Sequence, residues 1–332
     1  MLTTTATTAA EPDPQSIRKQ ASRVLRRFWI WGQIRRVQDE GVARARVRHQ
    51  VWARVLSTPP VRTIAFDRPA PYELHLVCHF ADYLSAIWGL KSYLGRVGGD
   101  AHLYIHVQGR HTTWMARRLQ QHFPDARLMT QAAADAAVVP ELRRRGLRRL
   151  EALRAMSAVM LKLVDVALTG TSDRLLVLDG DVLFFRRPDA LHDALLGPGP
   201  LSLFQRDAFT CYVISPQQAR DQFHIALEER INTGIVALDR RVIDLALCEQ
   251  LLEGAVLAGG WVEQTLYALA ASAAGHVRWL PETYALSMSA DPAPDGLVSR
   301  HYSGPSRAYM TRDAMPWLIA HGLTDAGNRP LG

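Results

Sequence analysis

Lysine is nearly missing from this chain. It stands only at positions 19, 91 and 162, so 36 of the 39 basic residues are arginine. That bias suits a GC-rich genome as well as any ligand, and no phosphate binding is read from it. Cysteine is equally scarce: Cys78, Cys211 and Cys248 fall in apolar segments and share no metal-ligand spacing. This excludes a disulfide framework and predicts buried free thiols in a reducing compartment. No apolar run approaches the ~20 residues that crossing a bilayer requires. The stretch from Met1 is rich in Thr, Ala and Pro and lacks an apolar signal core, so residues 1–16 are expected to be disordered. G-x-x-x-x-G-K-[ST], G-x-G-x-x-G and G-x-S-x-G are all absent, which removes the P-loop, dinucleotide and nucleophile-elbow signatures.

What is present is a globular composition. With 332 residues, 48% hydrophobic and 21% charged, the chain can bury a sizeable core in one large domain or two smaller ones. The net charge of +7 is lopsided. Between Ile17 and Val55 eleven basic residues face only Asp39 and Glu40, so the rest of the chain is slightly acidic. Val24, Phe28, Trp31 and Ile34 lie at helical spacing there, which predicts one or two basic helices over residues 17–56. Such a helix suits peripheral contact with an anionic membrane, or packing on its own domain. Nucleic acid is not an expected partner, because the basic stretch is local and no recognition motif accompanies it.

Prolines at 59, 60, 69 and 71 mark Ser57–Pro71 as a linker, so residues 17–71 read as a helical extension and its linker. Beyond it strands and helices alternate. Leu74–Cys78 and Ala101–Val107 read as strands, Leu84–Leu94 and Thr113–His122 as helices, and Glu141–Leu168 as one long helical stretch. This rhythm predicts a mostly parallel sheet with helices on both faces, whose ligands sit at the carboxyl ends of the strands.

The run Leu175–Phe185 is apolar except for Asp179-Gly180-Asp181. An apolar run of this kind reads as a strand buried on both faces, where two carboxylates are costly unless a cation or hydrogen-bond donors meet them. In an extended chain residues i and i+2 point the same way, so Asp179 and Asp181 can converge on one hard cation such as Mg²⁺ or Mn²⁺ and its phosphate ligand. The competing reading is a strand ending in a solvated turn. Val182–Phe185 resume the apolar run, which argues against it.

Three further segments carry polar groups of interest. Asn232-Thr233-Gly234 reads as a polar turn opening into an apolar strand, with Asn232 able to bond a sugar hydroxyl. Glu263-Gln264 sits at a helix start, where an acid is also favoured by the helix dipole alone. His301 can complete a metal site begun by two carboxylates; Gly304-Pro305 makes a tight turn, and Arg307 can grip a phosphate bidentately. His75 and His79, on the first strand, read as structural or pocket-wall residues.

An apolar strand ending in D-x-D-V also opens haloacid-dehalogenase-like phosphatases. That class needs a later basic residue, usually Lys, and a later acidic pair, whereas this chain has no Lys and no Asp-Asp after Asp181. Taken in order, D-G-D, N-T-G, E-Q and H-Y-S-G-P-S-R instead resemble the retaining glycosyltransferases of family 8, of the GT-A fold. The family pattern runs D-x-D, N-[AS]-G, D-Q and H-x-x-G-x-x-K-P-W, and the resemblance covers Tyr72 to Tyr309. It implies a GT-A domain over residues 72–325, α/β in class, with a Rossmann-like mixed and mostly parallel sheet flanked by helices.

By this resemblance Asp179, Asp181 and His301 would hold Mn²⁺ or Mg²⁺ bridging a nucleotide diphosphate. Gly304 and Arg307 would take the place of the family's diphosphate-binding turn and Lys. Lys162, on the helix before the D-x-D strand, would contact the nucleotide-sugar. Asn232, Thr233 and Gly234 would line the donor sugar, and Glu263 and Gln264 would lie beneath the anomeric carbon as the catalytic pair. Asp82 and Tyr83 keep part of a D-x-N-Y-like nucleotide contact, and Ala308-Tyr309 replaces P-W.

The implied reaction is metal-dependent transfer of a hexose from a UDP-sugar with retention. Glu263 would act as a nucleophile, or the leaving phosphate would guide front-side attack. The acceptor is a glycan, a lipid-linked, protein or small-molecule group, met by the loops Gln205–Tyr212 and Leu286–Leu297. The expected setting is the cytoplasm, with residues 17–56 against the inner face of the membrane. An inactive nucleotide-sugar-binding scaffold is the remaining alternative, but every expected ligand position holds a competent residue.

Overall fold

The computed structural model describes residues 42–109, 112–254, 261–286 and 296–322. Residues 1–41, which include most of the expected basic helices, and 287–295 of the second acceptor loop lie outside the described residues. Helix α1 covers Val42–Leu56, and the described residues from Val51 onward form one compact unit. Residues 57–71 carry no helix or strand. They are tied down by the Val61 N–H donating to the His122 carbonyl (2.9 Å) and by the Lys91 ammonium, which donates to Thr58 Oγ1 (2.7 Å).

The first βα units follow the hydrophobic pattern to within three residues. Strand β1 (Glu73–His79) leads to α2 (Tyr83–Val97), β2 (His102–Gln108), α3 (Thr112–His122) and a short β3 (Arg127–Thr130). The expected long helix over 141–168 is instead four pieces: α4 (Gln131–Arg144), α5 (Arg148–Met156), a 3₁₀ turn (Ala158–Lys162) and α6 (Val164–Thr169). Two local conformations break it. Gly146 is left-handed (φ 75°) and the Leu147 N–H reaches back to the Leu142 carbonyl, a glycine C-terminal cap. Ser157 is extended (φ −135°), which ends α5 and turns the chain toward Lys162.

The chain continues through β4 (Arg174–Leu178), β5 (Val182–Phe184), α7 (Asp189–Leu196), β6 (Ser202–Arg206), α8 (Pro216–Phe223) and β7 (Ile231–Asp239). It then forms α9 (Leu245–Gly254), α10 (Val262–Ala274), β8 (Arg278–Trp279), β9 (Tyr284–Leu286) and β10 (Ser299–His301), before short helical turns from Gly304 to His321. The main sheet has seven strands in the order β3-β2-β1-β4-β7-β6-β8. Among the described strands only β7 runs against the others, so the sheet is mixed and mostly parallel, as expected. Three strands, β5-β10-β9, form a second small sheet.

The alternation of side chains along the strands divides the core into two layers. Leu176 and Leu178 of β4 pack with Leu74, Leu76, Ile105 and the inner face of α2. Leu175 and Val177 pack on the opposite face with Val236, Leu238 and Tyr267 of α10. Cys78 and Cys248 are buried free thiols; Cys211, expected to be buried, is only half-buried.

The strand read across Leu175–Phe185 is not one strand. Strand β4 stops at Leu178, Asp179-Gly180-Asp181 is a turn closed by the Val182 N–H on the Asp179 carbonyl (3.2 Å), and β5 belongs to the other sheet. The apolar run is continuous because both strands are buried, while the polar turn carries the chain between sheets.

Candidate functional site

The site lies where the carboxyl end of β4 meets the amino end of the antiparallel β7. Asp179 donates its backbone N–H to the Gly234 carbonyl (2.9 Å), so the Asp-Gly-Asp turn and the Asn232-Thr233-Gly234 segment are neighbours by sheet pairing. The latter was expected as a turn; it is buried strand, the first part of β7. Its register against β6 jumps, Phe204 opposing Val236 but Gln205 opposing Asn232, so Thr233–Ile235 form a bulge relative to β6. Pairing with β4 and β6 overrides the turn preference of Asn and Gly.

From the small sheet, β10 delivers His301. Its Nε2 lies 3.2 Å from Asp181 Oδ1 and 3.7 Å from Asp179 Oδ2. Nδ1 lies 3.0 Å from Asn232 Oδ1. An amide oxygen can only accept, so this contact places the proton on Nδ1 and turns Nε2 toward the carboxylates. Gly234 makes the approach possible: a Cβ there would sit 2.2 Å from the imidazole Nδ1. Asp179, Asp181 and His301 offer ligand atoms within 4.8 Å of one another. Two carboxylates and an imidazole suit Mg²⁺, Mn²⁺ or a related divalent cation. Asp181 Oδ1, buried and accepting no hydrogen bond, is the atom such an ion would satisfy.

Cations compensate this acidic group. Lys162, expected on a helix, ends the 3₁₀ turn and is buried. Its ammonium lies 2.8 Å from Asp179 Oδ1 and 3.4 Å from Glu263 Oε1, and donates to the Thr233 carbonyl at 2.8 Å. Burial alone would lower its pKa, but Asp179 and Glu263 outweigh burial and keep it charged. Arg307, in the turn after Gly304, donates from Nε to Asp181 Oδ2 (2.7 Å) and from NH1 to Asp82 Oδ1 (3.3 Å). Burial would raise the Asp181 carboxyl, yet His301, when protonated, and Arg307 hold it down near 2. Gly304 itself is left-handed (φ 53°), which fits its place in the tight turn.

Glu263 and Gln264 open α10, both buried. Glu263 Oε2 accepts from the Thr233 hydroxyl (3.0 Å), and burial raises its pKa against the opposing pull of Lys162. Gln264 donates to Asp207 Oδ2 and to the Cys211 carbonyl, both at 3.4 Å. The structure therefore gathers Lys162, Asp179, Asp181, Asn232, Thr233, Gly234, Glu263, Gln264, His301 and Arg307 into one network. Asp82 joins through Arg307. Tyr83 lies instead with Phe80 and Trp114 in a half-exposed aromatic group at the start of α2, ring centroids 6.1 and 5.4 Å away.

Sequence reasoning missed Asp207. It is buried just beyond β6 and accepts from Asn232 Nδ2 (2.9 Å) as well as from Gln264, bridging two motifs far apart in the chain. A lone acid in a loop expected only to meet acceptor carries no motif. The one local signal was its place directly after an apolar strand.

No protein-family model matches the chain, and no curated protein matches it. Solved structures similar to it include mouse xyloside xylosyltransferase 1, at 13% identity over 64% of this chain and 86% of that one (TM-score 0.45). The bifunctional glycosyltransferase WbbM is similar at 10% identity over 78% and 52% (TM-score 0.46). The galactosyltransferase LgtC, in complex with donor and acceptor sugar analogues, is similar at 15% identity over 78% and 97% (TM-score 0.44).

Proposed function

We propose that this chain is a metal-dependent glycosyltransferase of the GT-A type, akin to family 8, which moves a hexose from a UDP-sugar to an acceptor with retention. The observation that carries the reading is the convergence of Asp179, Asp181 and His301, drawn from both sheets, with Lys162 and Arg307 beside them. Cleaving a sugar–diphosphate bond loads negative charge on the leaving group while the sugar approaches an oxocarbenium ion. A cation held by the two aspartates and His301 would stabilise that leaving charge. Arg307 would exchange its carboxylate partners for phosphate oxygens, as its fork allows. Lys162, kept charged at Asp179, adds a fixed positive field.

Asn232, Gly234 and Gln264, tied through Asp207, would face the donor sugar. Glu263 is bound by Thr233 and Lys162, and these ties favour front-side attack guided by the leaving phosphate over a covalent route through Glu263. The acceptor, whether glycan, lipid-linked, protein or small molecule, would enter along 205–212, where Phe209 is 62% exposed. Among the described residues no helix is long and apolar enough to cross a membrane. Peripheral contact through residues 17–56, on the cytoplasmic side, stays part of the proposal.

The test is calorimetric titration of UDP into the wild type and Asp181→Ala, with Mn²⁺ and with EDTA. Binding should need both Mn²⁺ and Asp181, weakening at least tenfold without either, the scale of one charge-assisted contact (~1.5–3 kcal/mol). Silence toward UDP, GDP and other nucleotides under every condition would sink the reading and return the scaffold or phosphatase alternatives.

A further inference from the structure

Two positions where the chain departs from the family pattern touch each other. Thr233 stands where the N-[AS]-G motif has Ala or Ser, and Glu263 where the D-Q motif has Asp. The Thr233 hydroxyl donates to Glu263 Oε2 at 3.0 Å and is also 3.4 Å from the Lys162 ammonium, from which it can accept. Glu263 Oε1 lies 3.4 Å from that same ammonium and is buried without accepting a hydrogen bond. The third corner is Asp179 Oδ1, 2.8 Å from Lys162. All but Asp179 are buried, Thr233 at 4%, Glu263 at 4% and Lys162 at 5% exposure.

We propose that Thr233 and Glu263 are a matched pair of positioning residues, whose hydroxyl–carboxylate bond holds the Lys162 ammonium against Asp179. A Glu side chain has one more rotatable bond than Asp, and an unanchored buried carboxylate could swing away from the lysine. The Thr233 hydroxyl removes that freedom by binding one oxygen and leaves the other beside the ammonium. The methyl of Thr, rigid at χ1, fixes the hydroxyl in turn, since a β-branched side chain has few rotamers. The Thr233 backbone carbonyl also accepts from Lys162, so strand and side chain act from one residue. The inference deepens the proposed function, because Lys162 is the charge placed beside the donor diphosphate.

Having only three lysines makes the test direct. Amine acylation of the metal-free full-length protein in EDTA, read peptide by peptide by mass spectrometry, reports how often Lys162 opens to solvent. Lys91, equally buried but held by Thr58 and Pro59 away from the site, reports whether the fold survives. Thr233→Val should raise the Lys162 rate roughly tenfold, the fold-change of one hydrogen bond to a charged group, with Lys91 unchanged. Thr233→Ser, which keeps the hydroxyl, should stay within about twofold of wild type. Glu263→Gln, which also removes the negative charge facing Lys162, should raise the rate at least as much as Thr233→Val, and adding Thr233→Val to it should add little further, because the hydroxyl then has no carboxylate to anchor. Unchanged Lys162 acylation in Thr233→Val, or additive effects in the double variant, would overturn the pairing. Neither outcome depends on nucleotide binding, so failure of the UDP titration is a separate result.

Discussion

At the scale of single residues the site is organised by groups that would not themselves touch a metal. Asn232 is the clearest. Its amide oxygen fixes the His301 ring and accepts from the Gly234 N–H (2.9 Å), while its amide nitrogen donates to Asp207. The residue thus sets both the tautomer of the metal-facing imidazole and the backbone against which the ring packs. Removing such an outer partner typically costs 10–100-fold in metal affinity. Asn232→Ala should accordingly weaken Mn²⁺ binding by about one to two orders of magnitude, read by Mn²⁺ paramagnetic resonance, with the melting temperature lowered only slightly. Wild-type Mn²⁺ affinity in that variant would show that His301 is oriented by other contacts.

At the scale of elements the decisive device is the turn that carries the chain from one sheet into the other. Helix α2 lies so close to it that a Cβ on Gly89 would meet the Val182 carbonyl at 2.7 Å. Ser92, one turn on, accepts from the Phe184 N–H (3.0 Å), pinning the same helix to β5. Gly89→Ala raises intrinsic helix propensity yet forces the helix off the turn. We expect a net loss of about 1–3 kcal/mol, the cost of overpacking, measured by urea denaturation, together with weaker Mn²⁺ binding through a displaced Asp181. A stabilised Gly89→Ala would mean that the helix can shift freely.

The same element shows what the sequence could and could not tell. Asp179 and Asp181 were legible because acids amid an apolar run are expensive without a ligand, and His301 through the Gly and Arg that follow it and the motif they resemble. That the acids lie in a turn was not legible, since periodicity describes one strand and cannot say that its continuation pairs elsewhere. Asn232-Thr233-Gly234 misled for the opposite reason. Asn and Gly favour a turn locally, while the antiparallel pairing of β7 with β4 draws them into a bulged strand. Asp207 was invisible because its partners, Asn232 and Gln264, are distant in sequence.

At the scale of the whole molecule the sheet carries a second polar layer that the site does not use, and it sets the response to acid. On the face of β1 and β2 opposite α2, Glu73, His75 and His106 are fully buried. The His75 Nδ1 and His106 Nε2 lie 3.2 Å apart, and the His75 Nε2 lies 3.3 Å from Glu73 Oε2. Glu73 also accepts from the N–H groups of Thr171 (2.8 Å) and Ser172 (3.0 Å) and pairs with Arg240. Burial would raise the Glu73 carboxyl, but these donors hold it at about 2, against an ordinary 4.5. Burial pushes both imidazoles below their ordinary 6.5, so they stay neutral in the folded state.

The signs agree. The unfolded chain takes up protons on the two histidines below about pH 6.5 that the folded protein refuses, so their contribution is full above that pH and declines beneath it. Glu73 contributes fully above 4.5, and that share is lost as pH falls toward 2. For Glu73 alone the share is on the order of 3 kcal/mol, at 1.36 kcal/mol per unit. Urea midpoints across pH 8 to 3 should therefore fall in two limbs, the first starting near 6.5. Glu73→Gln should be destabilised at pH 7, by roughly 3–5 kcal/mol for a broken buried pair, and should lose most of the second limb while keeping the first. A wild-type midpoint that stays flat from pH 7 to 4 would mean that water reaches the histidines and the layer is not closed.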